Sequence, residues 1–405
     1  MKKMKYMVLL CDGMADTPVE KLSGKTPMQV AKKPNMDMLA KTATVGICKT
    51  VGEGLKPGSD VANLSVMGYD ARTCYSGRSP LEAANLGIEL ADSEIAMRCN
   101  LVTLSDADRY EDRTMVDYCG GDISTPEADE LIKALEEHFG TERLHFYTGV
   151  QYRHCLVADG AKLGLDFTPP HDISGRVIGD YLSKVPEAAE FVEIMRESVE
   201  VLENHPVNKK RVADGKRPAN SAWFWGEGKR PNLEMFSDKF GISGAVVSAV
   251  DLIRGIGKLS GMKVAEIDGV TGYIDTDFDA KAKAAADLLD DGADLVYVHL
   301  EAPDECGHRG EIDNKVKAIE LIDEKVLAPM LEKLKEYDRF KILIMPDHPT
   351  PLDIRTHTSE PVPFMIYDSG KEADGVDLFC EKSARETGLF IDESTTLMPS
   401  FLKYE

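Results

Sequence analysis

The chain has 405 residues, with 48 lysines and arginines against 70 aspartates and glutamates, a formal net charge of -22. At about 100–200 residues per domain, that length predicts two domains, or one large domain with an insertion. Hydrophobic residues at 43% and charged residues at 29% exclude a disordered chain, a fibre or a coiled coil, and the acidic balance excludes the basic face a nucleic-acid binder needs.

Met1-Lys2-Lys3 starts as a secretory signal would, but the apolar run stops at Asp12 and no small-residue cleavage site follows. Nothing approaches the roughly 20 apolar residues of a membrane span, so neither a targeting segment nor a membrane partner is expected. The eight cysteines (11, 48, 74, 99, 119, 155, 306, 380) are scattered, with no C-x-x-C pair. In a chain of this length they are expected as free thiols in a reducing cytoplasm.

In chain order, residues 5–11 read as a first buried strand. Residues 28–42 carry helical apolar spacing, interrupted near Pro34. From about 97 to 219 the pattern changes. Short strands are expected at 100–104, 145–147 and 154–157. Helices are expected at 126–139 and 187–204, and a polar run fills 208–220. This stretch is read as an inserted α+β domain. Beyond it come strands at 222–225, 244–248, 262–267, 295–300, 341–345 and 362–367. Helices at 249–259, 278–290 and 313–335 alternate with them. Strands alternating with helices predict an α/β core with a mostly parallel sheet. The expected division is therefore a core of 1–96 with 220–405, and an insert of 97–219.

Three motifs follow predicted strands directly. Asp12-Gly13 follows 5–11. Asp304 and His308 lie in the segment after 295–300. Asp347-His348 follows 341–345. Open parallel sheets bind ligands at the carboxyl ends of their strands, so these distant segments are expected on one edge. Carboxylate oxygen and imidazole nitrogen suit Mn²⁺, Zn²⁺ or Mg²⁺. His357, in a loop before the last strand, could complete a two-metal cluster. Ser59, in Pro57-Gly58-Ser59-Asp60, is the candidate nucleophile. It opens an apolar helical run, where the helix start favours an incoming phosphate. Local sequence alone favours the plainer reading, in which Ser59 or Asp60 is an N-cap. Gly255–Gly261 imitates a dinucleotide fingerprint but sits at a helix end, and no P-loop exists. Trp223-Phe224-Trp225 reads as sheet packing, and Cys306 as a small buried residue.

The chain resembles the archaeal-type, cofactor-independent phosphoglycerate mutases of the alkaline phosphatase superfamily. The likeness rests on Asp12-Gly13-Met14-Ala15-Asp16, Lys25-Thr26-Pro27, Pro34-Asn35-Met36-Asp37, Pro57-Gly58-Ser59-Asp60, Gly68-Tyr69-Asp70, Ser76-Gly77-Arg78, Ala302-Pro303-Asp304-Glu305 with Gly307-His308, and Asp347-His348. It implies an alkaline-phosphatase-like core and two divalent ions, Mn²⁺ or Zn²⁺. One would be held by Asp12, Ser59, Asp347 and His348, the other by Asp304, His308 and His357. It implies transfer of the phosphoryl group of 3-phosphoglycerate to Ser59 and back to the 2-hydroxyl. The insert would close over the substrate, with Arg113, Arg153, Arg211 and Lys216 as candidates for its carboxylate and phosphate. Solvated surface charge is the alternative for each of the four.

Two flanks depart from the family pattern. Pro346-Asp347-His348-Pro349-Thr350-Pro351 stands where Gly-Asp-His-Ser-Thr-Pro is usual, and Gly77-Arg78-Ser79-Pro80-Leu81-Glu82 where Gly-Arg-Gly-Pro-Phe-Glu is usual. They leave open a homoserine-kinase-like phosphotransferase using the same serine and metals. A metal-binding scaffold without catalysis is a third reading, opposed by the intact Ser59 and ligand set.

Overall fold

The computed structural model describes residues 4–403; residues 1–3, weighed above as the start of a signal, lie outside the described residues. The chain forms two compact units, one of residues 1–74 with 232–405 and one of residues 75–231.

The first unit is built on an eight-stranded sheet. Lys5–Cys11 and Leu295–Leu300 are buried along their whole length. A strand covered on both faces needs no polar alternation, which explains their unbroken apolar runs. Lys5–Cys11 lies between Leu295–Leu300 and Phe340–Met345, parallel to both. Gly244–Val247 and then Lys263–Val264 continue the parallel side. On the other side only Val362–Asp368 is reversed, antiparallel both to Phe340–Met345 and to Thr44–Cys48, and Phe390–Ile391 lies parallel to Thr44–Cys48 at the edge.

Period-2 alternation sorts the side chains. Met7, Leu9, Val296, Val298, Ile342 and Ile344 share one core with the helices Pro34–Ala40, Phe278–Asp290 and Ile312–Ile322. Tyr6 and Tyr297 point the other way. Tyr6 meets Phe401 edge-on, and the Tyr297 hydroxyl donates to Asn63 at 2.7 Å, which fixes the helices Leu397–Leu402 and Ser59–Val66 on that face. Cys11 pairs with Leu300, and Leu10 with Met345. The three central strands thus end level, and the motif that follows each one starts from the same edge.

The second unit is an antiparallel sheet with helices. Its long strand Glu94–Leu104 pairs with Arg153–Asp159 on one side and Ser221–Lys229 on the other. Leu144–Val150 and Met115–Asp117 complete it. Helices Thr125–Phe139 and Ala189–Asn204 bury Leu131, Leu135, Phe191 and Met195 with Trp223 and Phe224.

Four expectations need correction. The second unit runs from 75 to 231 rather than from 97 to 219, because Glu94–Leu104 and Ser221–Lys229 hydrogen-bond to each other across both expected borders. The helix expected over 313–335 contains a π-helical turn at Asp323–Leu327. It precedes Pro329, whose missing N–H breaks the regular ladder. Residues 262–267 give only the two-residue strand Lys263–Val264. The polar run 208–220 is in part a helix, Pro206–Ala213, started by His205, whose Nδ1 accepts from Val207 N at 3.3 Å, and by Pro206 in the first turn. All eight cysteines are free thiols. Among the described residues no helix is long and apolar enough to cross a membrane.

Candidate metal centre and nucleophile

All seven residues expected at the metal site meet at the carboxyl edge of the first unit's sheet. Asp12 is the first residue past Lys5–Cys11. Asp304 and His308 lie four apart on the helix Ala302–Arg309, so they share a face, with His308 Nε2 3.2 Å from Asp304 Oδ2. Asp347 and His348 follow Phe340–Met345. Donor atoms of Asp12, Asp347 and His348 lie within 4.8 Å of one another, as do those of Asp304, His348 and His357. His308 Nε2 faces His357 Nε2 at 2.9 Å.

Ser59 is the first residue of its helix, and Gly58 takes the cap position. The serine side chain caps nothing. Its Oγ turns into the cluster, 3.1 Å from His348 Nε2 and 3.4 Å from Asp12 Oδ2. The geometry therefore decides against the cap reading of Ser59.

The electrostatics of the cluster ask for cations. Asp12, Asp304 and Asp347 are all buried. Burial, then the charges of Asp347, Asp304 and Glu301, hold the Asp12 carboxyl well above its usual range. Asp12 Oδ1 is buried with no hydrogen-bond partner among the described residues. Burial also pushes Asp304 up, but hydrogen bonds from His308 and His357 and the imidazole charges outweigh it, and the net shift is well down. The same bond, donated to Asp304, lifts His308 to about 9. Burial lowers His348, which favours the neutral imidazole a metal requires. Clustered, buried carboxylate oxygens beside imidazole nitrogens fit hard-to-borderline divalent ions. Cys306 does not compete, since burial pushes its thiol up to about 12.

Sequence reasoning missed the groups behind these ligands. Thr350 donates its hydroxyl to Asp304 Oδ1. Buried Lys315 donates to Asp16 Oδ2 and to the Thr350 carbonyl, both at 2.7 Å, and so ties the loop after Asp12 to the loop after His348. His299 Nε2 sits 3.0 Å from Asp12 Oδ2, off the line of an N–H bond, while its Nδ1 meets Ser248 Oγ at 3.2 Å. The available signal was alternation: Tyr297 and His299, polar groups in a buried strand, share one face two residues apart.

The four basic candidates of the second unit divide. Arg211 is 2% exposed and spends its guanidinium on the carbonyls of Gly120, Gly121 and Arg217 and on Glu127. Arg113 pairs with Glu203 at 2.8 Å. Both guanidinium groups are engaged inside their own unit. Lys216 is exposed. Arg153 differs. It lies over the Tyr152 ring, and its buried Nε has no hydrogen-bond partner among the described residues. Arg78 Nε is in the same condition, 3.8 Å from Glu82 Oε1.

A family model described as 2,3-bisphosphoglycerate-independent phosphoglycerate mutase matches residues 40–208. A relative from Geobacter sulfurreducens, under the name "Probable 2,3-bisphosphoglycerate-independent phosphoglycerate mutase", is 49% identical over 98% of this chain and 100% of its own. One from Methanosarcina barkeri, named as the same mutase, is 47% identical over 99% of this chain and 100% of its own. Of solved structures, the PH0037 protein from Pyrococcus horikoshii superposes with a TM-score of 0.82 at 28% identity, over 100% of both chains. A cofactor-independent phosphoglycerate mutase from Thermoplasma acidophilum does so with a TM-score of 0.67 at 25% identity, again over 100% of both chains. With near-half identity sustained from end to end, the chain belongs to the 2,3-bisphosphoglycerate-independent phosphoglycerate mutase family.

Proposed function

We propose that this chain interconverts 3- and 2-phosphoglycerate without 2,3-bisphosphoglycerate, through a phosphoserine at Ser59 beside two divalent cations. The observation that carries the reading is the place of Ser59 Oγ, aimed between His348 Nε2 and Asp12 Oδ2 rather than back at its own helix. The names of the full-length relatives support a mutase and lend nothing to the homoserine-kinase-like alternative.

Asp12, Ser59, Asp347 and His348 would hold one cation, and Asp304, His308 and His357 the other. Bound there, Mn²⁺ or Zn²⁺ would lower the pKa of the serine hydroxyl and neutralise charge on the phosphoryl oxygens. Ser59 Oγ attacks phosphorus while the bond between phosphorus and O3 breaks, and O3 takes up the proton that the serine gives up. The serine proton leaves toward Asp12 Oδ2, the carboxylate oxygen that accepts from its hydroxyl. The 2-hydroxyl of the bound glycerate then attacks the phosphoserine, the Ser59 Oγ–phosphorus bond breaks, and the proton released by the 2-hydroxyl returns to Ser59 Oγ. The phosphoryl group has moved from O3 to O2 with no donor consumed. The positive end of the helix Ser59–Val66 favours the anion throughout. Arg153 and Arg78, each with a buried Nε that has no hydrogen-bond partner among the described residues, are the candidates for the substrate carboxylate. The eight free thiols suit a cytoplasmic setting.

The test is direct. Mn²⁺-loaded protein is given 3-phosphoglycerate alone and coupled to enolase. We expect 2-phosphoglycerate without added bisphosphoglycerate. If none forms while homoserine is phosphorylated from a supplied donor, the mutase reading fails.

A further inference from the structure

Asparagine is a poor helix former, yet Asn63 stands inside the helix Ser59–Val66 and is 0% exposed. A buried amide must find partners for an oxygen and two N–H groups. Asn63 finds three. Its Nδ2 donates to the Ser59 carbonyl at 2.8 Å and to Asp347 Oδ2 at 2.9 Å. Its Oδ1 accepts the Tyr297 hydroxyl at 2.7 Å. We infer that Asn63 is a positioning residue, whose amide couples the backbone of the nucleophile Ser59 to the carboxylate of Asp347, with Tyr297 fixing which way round the amide sits.

Three points of chemistry carry this. First, a reversed amide would set Oδ1 against a carbonyl and a carboxylate, both acceptors, and would leave the Tyr297 hydroxyl facing a donor. Tyr297 is 0% exposed, and phenylalanine would fill the same space, so its hydroxyl is spent on this orientation. Second, the donors around Asp347 can be counted. Oδ1 accepts the backbone N–H groups of Gly13 at 3.2 Å and of His348 at 2.9 Å. Oδ2 accepts Asn63. A carboxylate has about four lone-pair directions, so one remains, on Oδ2. His348 Nε2 lies 3.4 Å from that same atom. The Gly13 and His348 N–H groups thereby restrict Asp347 to donation through Oδ2, and Asn63 fixes which lone pair of that oxygen is left. Third, the same NH₂ group holds the first turn of the nucleophile's helix. Movement of Asp347 and movement of Ser59 are then one movement.

The inference rests on the two-metal reading above, and its test separates the two. Asn63→Ala and Tyr297→Phe are compared with wild type and with Val298→Ala. Val298 is the strand neighbour that faces the opposite core, so its truncation reports lost packing alone. Each chelator-stripped protein is titrated with Mn²⁺ by calorimetry, and kcat and KM for 3-phosphoglycerate are measured at saturating Mn²⁺. Outer groups that orient a metal ligand are worth roughly 10–100-fold in metal affinity. We expect Asn63→Ala to weaken Mn²⁺ binding by about that factor and to lower kcat with KM little changed. Tyr297→Phe should shift both in the same direction by less, and Val298→Ala should lower the melting temperature with wild-type Mn²⁺ affinity. Should Asn63→Ala not fold, Tyr297→Phe carries the test alone. Wild-type Mn²⁺ affinity in the variants, or equal weakening in Val298→Ala, overturns the inference. If wild type turns over no 3-phosphoglycerate but Asn63→Ala still weakens Mn²⁺, the mutase reading falls and this one stands.

Discussion

Gly13 donates its backbone N–H to Asp347 Oδ1 at 3.2 Å, across 334 positions of sequence. The bond is possible because Gly13 sits at φ +61°, a conformation that turns the chain sharply at the end of the first strand. A Cβ there would stand 2.6 Å from Thr350 Oγ1 and 2.7 Å from the Asp304 Cα. Gly13→Ala should therefore cost about 1–2 kcal/mol in backbone strain and a further 1–3 kcal/mol or so in overpacking. The displaced groups are Asp304 and Thr350, so activity should fall further than stability. Urea unfolding beside initial rates at saturating Mn²⁺ checks this, and unchanged rates would show that the loop has slack.

That glycine also shows how much could be read from the letters. The central strands 5–11 and 295–300 were legible to the residue, because burial on both faces leaves an unbroken apolar run. Six of the seven candidate ligands were legible because each follows a predicted strand end or lies in a loop near one, and Ser59 because it opens an apolar helical run after Pro57-Gly58. The unit borders were not. They depend on which strand partners Glu94–Leu104, and pairing between residues 95 and 229 leaves no local mark. The roles of the arginines were equally hidden. Arg153 and Arg211 read alike in sequence, and only the carbonyls of Gly120, Gly121 and Arg217 around Arg211 tell them apart.

The difference between those arginines can be measured. Arg211→Ala leaves three carbonyls and a carboxylate without their donor and should destabilise by several kcal/mol, on the scale of about 1–3 kcal/mol for each buried group left unsatisfied. Arg153→Ala removes a guanidinium with an unspent Nε. It should leave the melting temperature within a few degrees of wild type and raise KM for 3-phosphoglycerate. Melting curves and steady-state kinetics on the two variants decide it. A normal KM for Arg153→Ala would return that residue to the solvated surface.

Ser59→Ala removes the atom that receives the phosphoryl group. Substrate affinity should survive, because the helix start and the other cluster residues remain, while turnover should fall by several orders of magnitude. Acid-quenched wild-type enzyme should carry phosphate on Ser59, visible by mass spectrometry after proteolysis. Near-normal turnover in Ser59→Ala would rule out the covalent route.

Exhaustive chelation should abolish activity, and Mn²⁺ or Zn²⁺ should restore it. The buried carboxylates predict a structural effect as well. Without cations, Asp12, Asp304 and Asp347 are left close together and short of positive charge. Ligands that bind only the folded state stabilise it by mass action, so the melting temperature should climb with added Mn²⁺. Full activity in protein shown to be metal-free would refute the two-cation reading.

The metal-free protein should also have a distinctive pH profile. Its Asp304 lifts the folded-state pKa of His308 from about 6.5 to about 9 through their hydrogen bond. The folded chain then holds this proton more tightly than the unfolded chain. By linkage, the stabilisation is fully present below about pH 6.5 and is lost as pH rises toward 9. The His308 side chain is 34% exposed, so solvent screening keeps the effect modest. In chelator, the melting temperature should decline over that window, and His308→Gln should flatten the decline. With saturating Mn²⁺ the decline should vanish in wild type, because a cation on His308 Nε2 takes the place of the proton. Thermal melts at pH 6, 7.5 and 9, with and without Mn²⁺, separate the cases. A wild-type slope that Mn²⁺ does not remove would mean that the cation and the His308 proton do not compete for the same nitrogen.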